Sequence, residues 1–157
     1  PAFEIVSLSV PERLPAVAAW LKASKGFAML MDLTAVDYQG YASQPRAARF
    51  ELVYFFFAPA ARARLRLKVP LPDANPVAPS LAGLYGDADW LEREVWDMFG
   101  IRFSGHPNLK RLLLYEEFSG HPLRKDYPPM RQQPRVVQAF PGVPPFGVEP
   151  GSRKDGG

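Results

Sequence analysis

The sequence predicts one α+β domain, in which a mixed, largely antiparallel sheet carries helices packed on it, followed by an extended, proline-rich C-terminal tail. Segments with strand and helix patterns follow one another without the regular alternation that builds a parallel α/β sheet. The 157 residues, 47% of them hydrophobic, suffice for one domain with its own core. The 18 prolines exceed the usual share and indicate an irregular portion. We therefore divide the chain into a core domain, residues 1–103, and a partner-wrapping tail, residues 104–157.

A strand, a helix and a second strand are predicted in the first third of the chain. Residues 3–9 alternate loosely between apolar and polar side chains, which indicates a strand. Residues 11–23 predict a helix, because apolar residues recur at helical spacing and Gly26 follows as a stop signal. Residues 27–33 form a short apolar run that indicates a buried strand. Residues 39–45 predict a loop.

The next segment has the clearest pattern in the chain, and it predicts an antiparallel hairpin. Residues 49–57 are rich in aromatic and β-branched side chains. Aromatic residues stand at both odd and even positions, which indicates that both faces of the strand are buried. Residues 62–69 then alternate cations with apolar side chains, which places the cations on one face of a strand. These cations are Arg62, Arg64, Arg66 and Lys68. Four prolines between residues 70 and 79 predict a loop.

A second helix is predicted over residues 87–99, after which regularity fades. Asp87 or Asp89 can cap its N-terminus and Gly100 ends it. Its predicted apolar stripe consists of Leu91, Val95 and Met98. Eight prolines between residues 122 and 150 exclude long helices and central strands, so we expect this part to run extended over a surface.

Composition excludes several classes of function. The chain has no cysteine, which excludes disulfides, thiolate metal sites and cysteine-ligated iron–sulfur clusters. No glycine-rich nucleotide loop is present. The longest apolar run, residues 52–61, contains ten residues and a proline, whereas a membrane-spanning helix needs about 20.

Two constellations of titratable residues are candidates for a catalytic or metal site, and the histidines are the first. His106 and His121 could bind a metal in a site completed by Asp126, Glu116 or Glu117, but each histidine precedes a proline and no metal-ligand spacing is present. Structural turns are therefore the favoured interpretation.

The carboxylates of the second predicted helix are the other constellation. Glu92 and Glu94 are two residues apart and face different directions on a helix, whereas Glu94 and Asp97 share a face. A charged helix face that meets water or basic groups is favoured over paired catalytic acids. We expect no catalytic residue, metal ligand or cofactor on this chain.

The basic strand at residues 62–68 raises the alternative of nucleic-acid binding. The basic excess of the chain lies elsewhere, because residues 1–100 carry 10 basic and 11 acidic side chains and residues 101–157 carry 9 and 5. The aromatic residues nearby are consecutive and do not alternate with the cations, as a base-stacking sheet would require. No nucleic-acid partner is therefore expected.

Several blocks of sequence, in order, resemble one known family. Residues 92–101 read Glu-Arg-Glu-Val-Trp-Asp-Met-Phe-Gly-Ile, and residues 105–111 read Gly-His-Pro-Asn-Leu-Lys-Arg. Residues 120–128 read Gly-His-Pro-Leu-Arg-Lys-Asp-Tyr-Pro. Further matching blocks are residues 33–38, 50–54, 65–69 and 151–154. Together they resemble the 30-kilodalton subunit, also called the C subunit, of NADH:quinone oxidoreductase (respiratory complex I).

The resemblance implies a cofactor-free structural subunit in the hydrophilic arm of a proton-translocating oxidoreductase, docked beside the quinone-site subunit. FMN and iron–sulfur clusters are then expected in partner subunits, and the chain itself is expected at the cytoplasmic face of the bacterial membrane, which it touches only indirectly. Two alternatives stay open: the equivalent subunit of a membrane-bound nickel–iron hydrogenase, and a free-standing module that binds RNA or an acidic protein.

The residues of the two motif blocks are the predicted interface with neighbouring subunits, because charges are numerous there and the chain after the second predicted helix lacks the apolar periodicity to fold by itself. The predicted interface residues are Glu92, Arg93, Glu94, Asp97, His106, Lys110, Arg111, His121, Arg124, Lys125, Asp126 and Tyr127.

Overall fold

A four-stranded mixed sheet forms the centre of the computed structural model, which describes residues 4–41, 48–128, 130, 132 and 133. Its strands are β1 (Glu4–Ser7), β2 (Met29–Asp37), β3 (Phe50–Ala58) and β4 (Ala63–Leu71), in the order β1-β4-β3-β2. The pairs β2–β3 and β3–β4 are antiparallel, whereas β1 runs parallel to β4. The predicted fold class and the hairpin of β3 and β4 are confirmed.

Two helices pack on this sheet. A short 3₁₀ turn (Pro11–Arg13) leads into α1 (Leu14–Lys25), and α2 spans Ala88–Phe99. Each helix ends at a glycine in the left-handed conformation, Gly26 with φ 73° and Gly100 with φ 74°, as the sequence predicts. Neither helix in the described part of the chain has the length and apolar character needed to cross a bilayer.

Three predictions about local structure are corrected. β2 continues four residues beyond its predicted end at residue 33, because residues 34–37 stay paired with β3. Pro70 lies inside β4, beyond the last β4 residue that pairs with β1, Lys68, so its missing N–H leaves that pairing intact. The predicted proline loop also contains a strand, β5 (Val77–Pro79), which pairs in parallel with β6 (Arg102–Ser104).

The hydrophobic core lies on one face of the sheet, between the strands and both helices. Leu14, Ala18 and Leu21 of α1 enter it, as do Val95 and Phe99 of α2. The predicted stripe of α2 is rotated, because the buried residues on its core-facing side are Ala88, Glu92, Val95 and Phe99, whereas Leu91 and Met98 are half-buried. Asp97 is buried on the opposite side of the helix, beneath residues 112–114.

The opposite sheet face, which we call the outer face, carries Phe55 and Phe57 of β3 and Arg64, Arg66 and Lys68 of β4. The expectation that both faces of β3 are buried is wrong for the two rings, which are half-buried. Arg66 and Arg64 cover them, with guanidinium carbons 4.9 and 5.8 Å from the ring centroids. The predicted alternation is confirmed for Leu65, Leu67 and Val69 of β4, which are buried, whereas Arg62, predicted within the strand, lies in the turn before it.

The part of the predicted loop that spans residues 42–45 and the end of the predicted tail, from residue 134 onward, lie outside the described residues. The division into a core and a tail at residue 103 stays a prediction.

Candidate functional site

The residues of the predicted interface gather on α2 and on the chain that follows β6, which we call the C-terminal segment (residues 105–128). This segment contains neither helix nor strand, yet it packs against α2 through specific hydrogen bonds. The N–H of Leu123 donates to the carbonyl of Met98 at 3.0 Å, and Arg93 donates to the carbonyls of Lys110 and Arg111 at 3.2 and 3.0 Å. Side chains of α2 therefore order the segment.

Asp97 is the most heavily used group of α2. Its side chain is fully buried, and its Oδ2 accepts hydrogen bonds from the three successive N–H groups of residues 112–114 at 2.9–3.0 Å. Its Oδ1 accepts from Arg111 at 2.6 Å. Burial acts to raise the pKa of Asp97, but these hydrogen bonds outweigh it and hold the pKa below its usual value. Asp97 is thus an ionised anchor for a loop that has no backbone ladder.

Arg111 completes the same loop from within the C-terminal segment. Besides Asp97, it donates to the carbonyls of Phe118 and Gly120 at 2.6 and 3.2 Å. Its guanidinium lies 5.7 Å from the Trp96 ring and 5.6 Å from the Phe118 ring. Only a planar group with several fixed donors can make these contacts together, so lysine is no substitute here.

Glu92 is a second buried carboxyl on α2. Its Oε2 accepts from the Ser80 hydroxyl and its Oε1 from the Leu81 N–H, both at 2.6 Å. Burial, the largest effect, raises the pKa of Glu92 despite these bonds. The carboxyl ties α2 to the chain after β5, and His106 Nε2 lies 3.9 Å away.

Both histidines hold turns, as the sequence analysis favours. His106 Nδ1 accepts from the Asn108 N–H at 3.0 Å, so its Nε2 carries the hydrogen and donates to the Asp89 carbonyl at 3.1 Å. His121 Nδ1 donates to the Asp97 carbonyl at 2.9 Å, and burial lowers the pKa of His121. Within the described ranges, no cluster of histidine and acidic side chains is arranged to bind a metal ion.

A charged cluster that the sequence analysis missed joins the C-terminal segment to the sheet. Arg49 contacts Asp37 through two hydrogen bonds of 3.0 and 2.9 Å, and it also pairs with Asp126 and Asp73 at 3.0 Å. The buried Asp37 accepts from the N–H of Lys125 at 2.9 Å. The one signal in the sequence was the resemblance of residues 33–38 to the family, because no spacing rule connects residues 88 positions apart.

The ionisation of this cluster is set by its guanidinium groups. The hydrogen bond from Arg49, then that from Arg124, lowers the pKa of Asp126 to about 2. For Asp37, burial raises the pKa, and the bonds from Arg49 and from backbone N–H groups outweigh it, so that the pKa is lowered. Both carboxylates therefore stay ionised at neutral pH and hold the segment electrostatically.

The predicted interface residues differ in how far they reach solvent. Glu92 and Asp97 are fully buried, and the His106 side chain is also enclosed. These three residues can affect an interface only indirectly, by positioning the loops that they bind. Arg93, Arg111, His121, Arg124 and Tyr127 are half-buried. The exposed members of the set are Glu94, Lys110, Lys125 and Asp126.

We expect Glu92→Gln to gain stability relative to the natural chain as pH rises from about 4 to 7. An acid whose folded-state pKa is raised costs stability once the unfolded chain ionises, and the cost is complete above the folded pKa. The amide can still accept from Leu81, and it does not ionise. Asp37, Asp97 and Asp126, whose pKa values are lowered, titrate in both proteins. Their contributions therefore cancel in the difference between the two free energies of unfolding. Urea midpoints measured across this pH range test the expectation.

The matched control is Glu94→Gln, which changes an exposed glutamate on the same helix. If the difference between Glu92→Gln and the natural chain does not grow with pH beyond that of this control, the raised pKa of Glu92 is contradicted.

Comparison with known proteins agrees with this geometry. A sequence profile of the family described as respiratory-chain NADH dehydrogenase, 30-kilodalton subunit, matches residues 8–133. The chain belongs to this family. A relative from Trichlorobacter lovleyi, the C subunit of an NADH-quinone oxidoreductase, is 50% identical over 117 residues, which are 74% of this chain and 70% of that protein. The C subunit from Rhizobium rhizogenes is 42% identical over 127 residues, which are 80% of this chain and 60% of that protein.

A longer relative and two solved structures extend the comparison. A Methylococcus capsulatus protein, named the C/D subunit of an NADH-quinone oxidoreductase, is 47% identical over 104 residues, 65% of this chain but 18% of that protein. A trypsin-resistant fragment of Nqo5 is 37% identical with a TM-score of 0.60, covering 68% of this chain and 81% of that one. A chain of an archaeal respiratory membrane complex, the membrane-bound sulfane sulfur reductase, is 25% identical with a TM-score of 0.63, covering 81% and 74%.

Proposed function

We propose that the chain is a cofactor-free structural subunit of the hydrophilic arm of a proton-translocating NADH:quinone oxidoreductase. The 50% identity with the Trichlorobacter protein carries this proposal. The proposed position is peripheral, at the cytoplasmic face of a bacterial membrane, beside the quinone-site subunit and near the iron–sulfur subunits. FMN and iron–sulfur clusters belong, in this proposal, to the partner subunits.

The chemistry of the site supports a structural role. The chain has no cysteine, so it offers no thiolate to an iron–sulfur cluster. The buried charges that a catalytic site could use are engaged in holding loops: Asp97 binds three backbone N–H groups, and Glu92 binds Ser80 and Leu81. Their contacts stabilise a surface and leave little for a substrate.

The proposed docking surface is formed by the solvent-reaching part of the C-terminal segment. Lys110 and Lys125 are exposed there, as are the apolar side chains of Leu113 and Leu123, 63% and 51% exposed. Exposed apolar residues with charges around them are typical of protein interfaces. The Methylococcus relative is named as a combined C/D subunit, which supports a neighbouring subunit that lies close to this chain in the complex.

A second candidate is the corresponding subunit of another membrane-bound redox complex. The similarity to a chain of the sulfane sulfur reductase complex favours this alternative over a free-standing binding module. The equivalent subunit of a membrane-bound nickel–iron hydrogenase is included in this second candidate.

The experiment is purification of the tagged full chain from solubilised membranes of its own host. We expect iron–sulfur and flavin subunits to co-purify with NADH:quinone reductase activity. The isolated chain should carry no stoichiometric iron, zinc or flavin after a chelator wash. Recovery with hydrogen-evolving or sulfur-reducing activity supports the alternative complex. Recovery of the chain alone, together with binding of an RNA oligonucleotide that depends steeply on salt, contradicts both complexes.

We expect Lys125→Glu to reduce recovery of the neighbouring subunits by about tenfold or more, because reversing an interface charge places like charges together. The Lys125 side chain is exposed, so the thermal midpoint of the isolated full chain should barely change. Arg13→Glu, an exposed change beside α1, is the matched control and should leave recovery unaltered. Equal recovery of both variants would exclude Lys125 from the docking surface.

A further inference from the structure

The sheet edge formed by β1 is open in the described part of the chain. β1 is the outermost strand, next to β4, and all four of its residues are exposed. The N–H of Leu8, the residue after β1, donates to the carbonyl of Lys68 at 2.8 Å. Backbone groups alternate in direction along a strand, so those of Val6 also face β4, whereas those of Ile5 and Ser7 face away from it. Two backbone donors and two acceptors therefore line the open edge.

The opposite edge, formed by β2, is protected against pairing in a way that β1 is not. A β-bulge just before Asp32 interrupts the register of β2. The N–H of Tyr38 donates to Arg49 beside β3, so the N–H of Leu33, an odd number of residues earlier, faces the open side. The Asp32 carboxylate accepts that N–H at 2.8 Å. Bulges and charged side chains keep sheet edges from pairing, whereas β1 has a regular register and one charged residue, Glu4, at its first position.

The side chains of β1 indicate what kind of segment this edge fits. Ile5, 56% exposed, lies on the outer face beside Arg66, and Val6, 41% exposed, lies on the helix side beside Leu67. Apolar β-branched residues on both sides are typical of a strand whose two faces are covered. An extended apolar segment along β1 would contact both side chains and bond the outward N–H and C=O groups.

The size of the edge argues against a second copy of this chain as the occupant. β1 spans four residues, about 13 Å of strand. Stable interfaces between proteins bury about 1,200–2,000 Å² in total, far more than one pairing of this length provides. So short a pairing persists when its partner is already held by another contact, which raises the effective concentration of the segment. The docking surface proposed on the C-terminal segment supplies such a contact.

We propose that β1 receives an extended apolar segment of a neighbouring subunit, which adds a fifth strand to the sheet through the backbone groups of Ile5 and Ser7. The main-chain bonds hold the segment, and the contacts with Ile5 and Val6 select apolar side chains. That the neighbour is a subunit of the oxidoreductase rests on the proposed function, whereas the extended, apolar character of the segment rests on β1 alone.

Hydrogen exchange of individual amides, measured in the isolated full chain and in the assembled complex, tests the proposal. The amides of Val6 and Leu8, which face β4, should be protected in both states. The amides of Ile5 and Ser7 should exchange quickly in the isolated chain and slow by about tenfold or more in the complex, because an added strand bonds every second amide.

Three results would overturn the proposal. Unchanged exchange of Ile5 and Ser7 in the complex would mean that no strand is added. Protection of both amides in the isolated chain at every concentration would assign the edge to another part of the same chain. Protection that increases with the concentration of the isolated chain would assign it to a second copy.

A proline at position 7 supplies the mutational test. Ser7→Pro removes an outward N–H and leaves the bonds to β4 in place, and the extended conformation that it imposes on Val6 suits a strand. Ser7→Ala keeps the N–H and is the matched control. We expect the slowing of the Ile5 amide in the complex to be lost in Ser7→Pro and kept in Ser7→Ala. Equal slowing in both variants contradicts strand addition.

Two further measurements separate the causes. The melting temperatures of the two isolated variants should agree within about 4 °C, and a larger drop for Ser7→Pro would mean that this N–H is bonded within the chain, which overturns the proposal. Recovery of iron–sulfur subunits reports on the proposed function separately. A complex that contains them but leaves Ile5 and Ser7 unprotected overturns this inference alone, whereas protection in a complex without them supports strand addition while the proposed function fails.

Discussion

Asp97→Ala is expected to lower the free energy of unfolding by about 3–5 kcal/mol, the cost of breaking a buried ion pair from one side. The substitution leaves the half-buried Arg111 without its carboxylate and three consecutive N–H groups without their acceptor. Each buried donor that loses its partner costs about 1–3 kcal/mol before the loop relaxes into water. Urea unfolding of the full chain at neutral pH gives the measurement.

Two further variants show whether the loss comes from the anchor. Asp97→Asn keeps one oxygen for the N–H groups but turns an amide donor toward Arg111 or the loop, so we expect an intermediate loss. Glu94→Ala removes an exposed carboxylate from the same helix and should change stability by no more than about 0.5 kcal/mol. A loss below about 1 kcal/mol for Asp97→Ala would mean that the loop does not depend on this carboxylate.

The sequence determined the regular elements of this fold well, because their signals are local. The alternation of residues 62–69 defined β4, and the glycine after α2 defined its end. The inward direction of Glu92 was not predictable in this way. Helical spacing places it in line with Ala88, Val95 and Phe99, but hydropathy assigns a glutamate to the surface. Only the position of Ser80 and Leu81, fixed by the strand before them, makes its burial tolerable.

The C-terminal segment illustrates the limit of local reasoning more strongly. Its apolar residues do not recur at helix or strand spacing, and its prolines predicted an extended path. Nothing local in the sequence therefore explained why the segment is ordered. The cause lies in pairs distant in sequence, such as the Lys125 N–H on Asp37 and the Leu113 N–H on Asp97. Such pairs follow from the tertiary structure, since a buried carboxylate must find donors wherever the chain supplies them. The family resemblance identified the positions of the predicted interface residues, and the structure shows which groups they contact.

Gly100→Ala is expected to cost about 3 kcal/mol, clearly more than Gly26→Ala at about 1 kcal/mol. Both glycines end a helix in the left-handed conformation, so each substitution incurs the same backbone penalty. A Cβ at Gly26 would meet no atom within 4 Å, whereas a Cβ at Gly100 would lie 2.6 Å from Cδ2 of His121. The imidazole would have to move, and its hydrogen bond to the Asp97 carbonyl would be lost.

A double-mutant cycle with His121→Ala separates the steric effect from the backbone effect. His121→Ala alone should cost about 1–3 kcal/mol, because it leaves the Asp97 carbonyl without its side-chain donor and removes the ring that packs edge-on against Trp96. Once the imidazole is absent, the added methyl at position 100 meets no ring, so the double variant should be more stable than the sum of the single losses predicts by about 1–2 kcal/mol. Denaturant midpoints of the four proteins give this coupling energy. Strict additivity, with Gly100→Ala no worse than Gly26→Ala, would mean that His121 yields freely and does not tie the C-terminal segment to the end of α2.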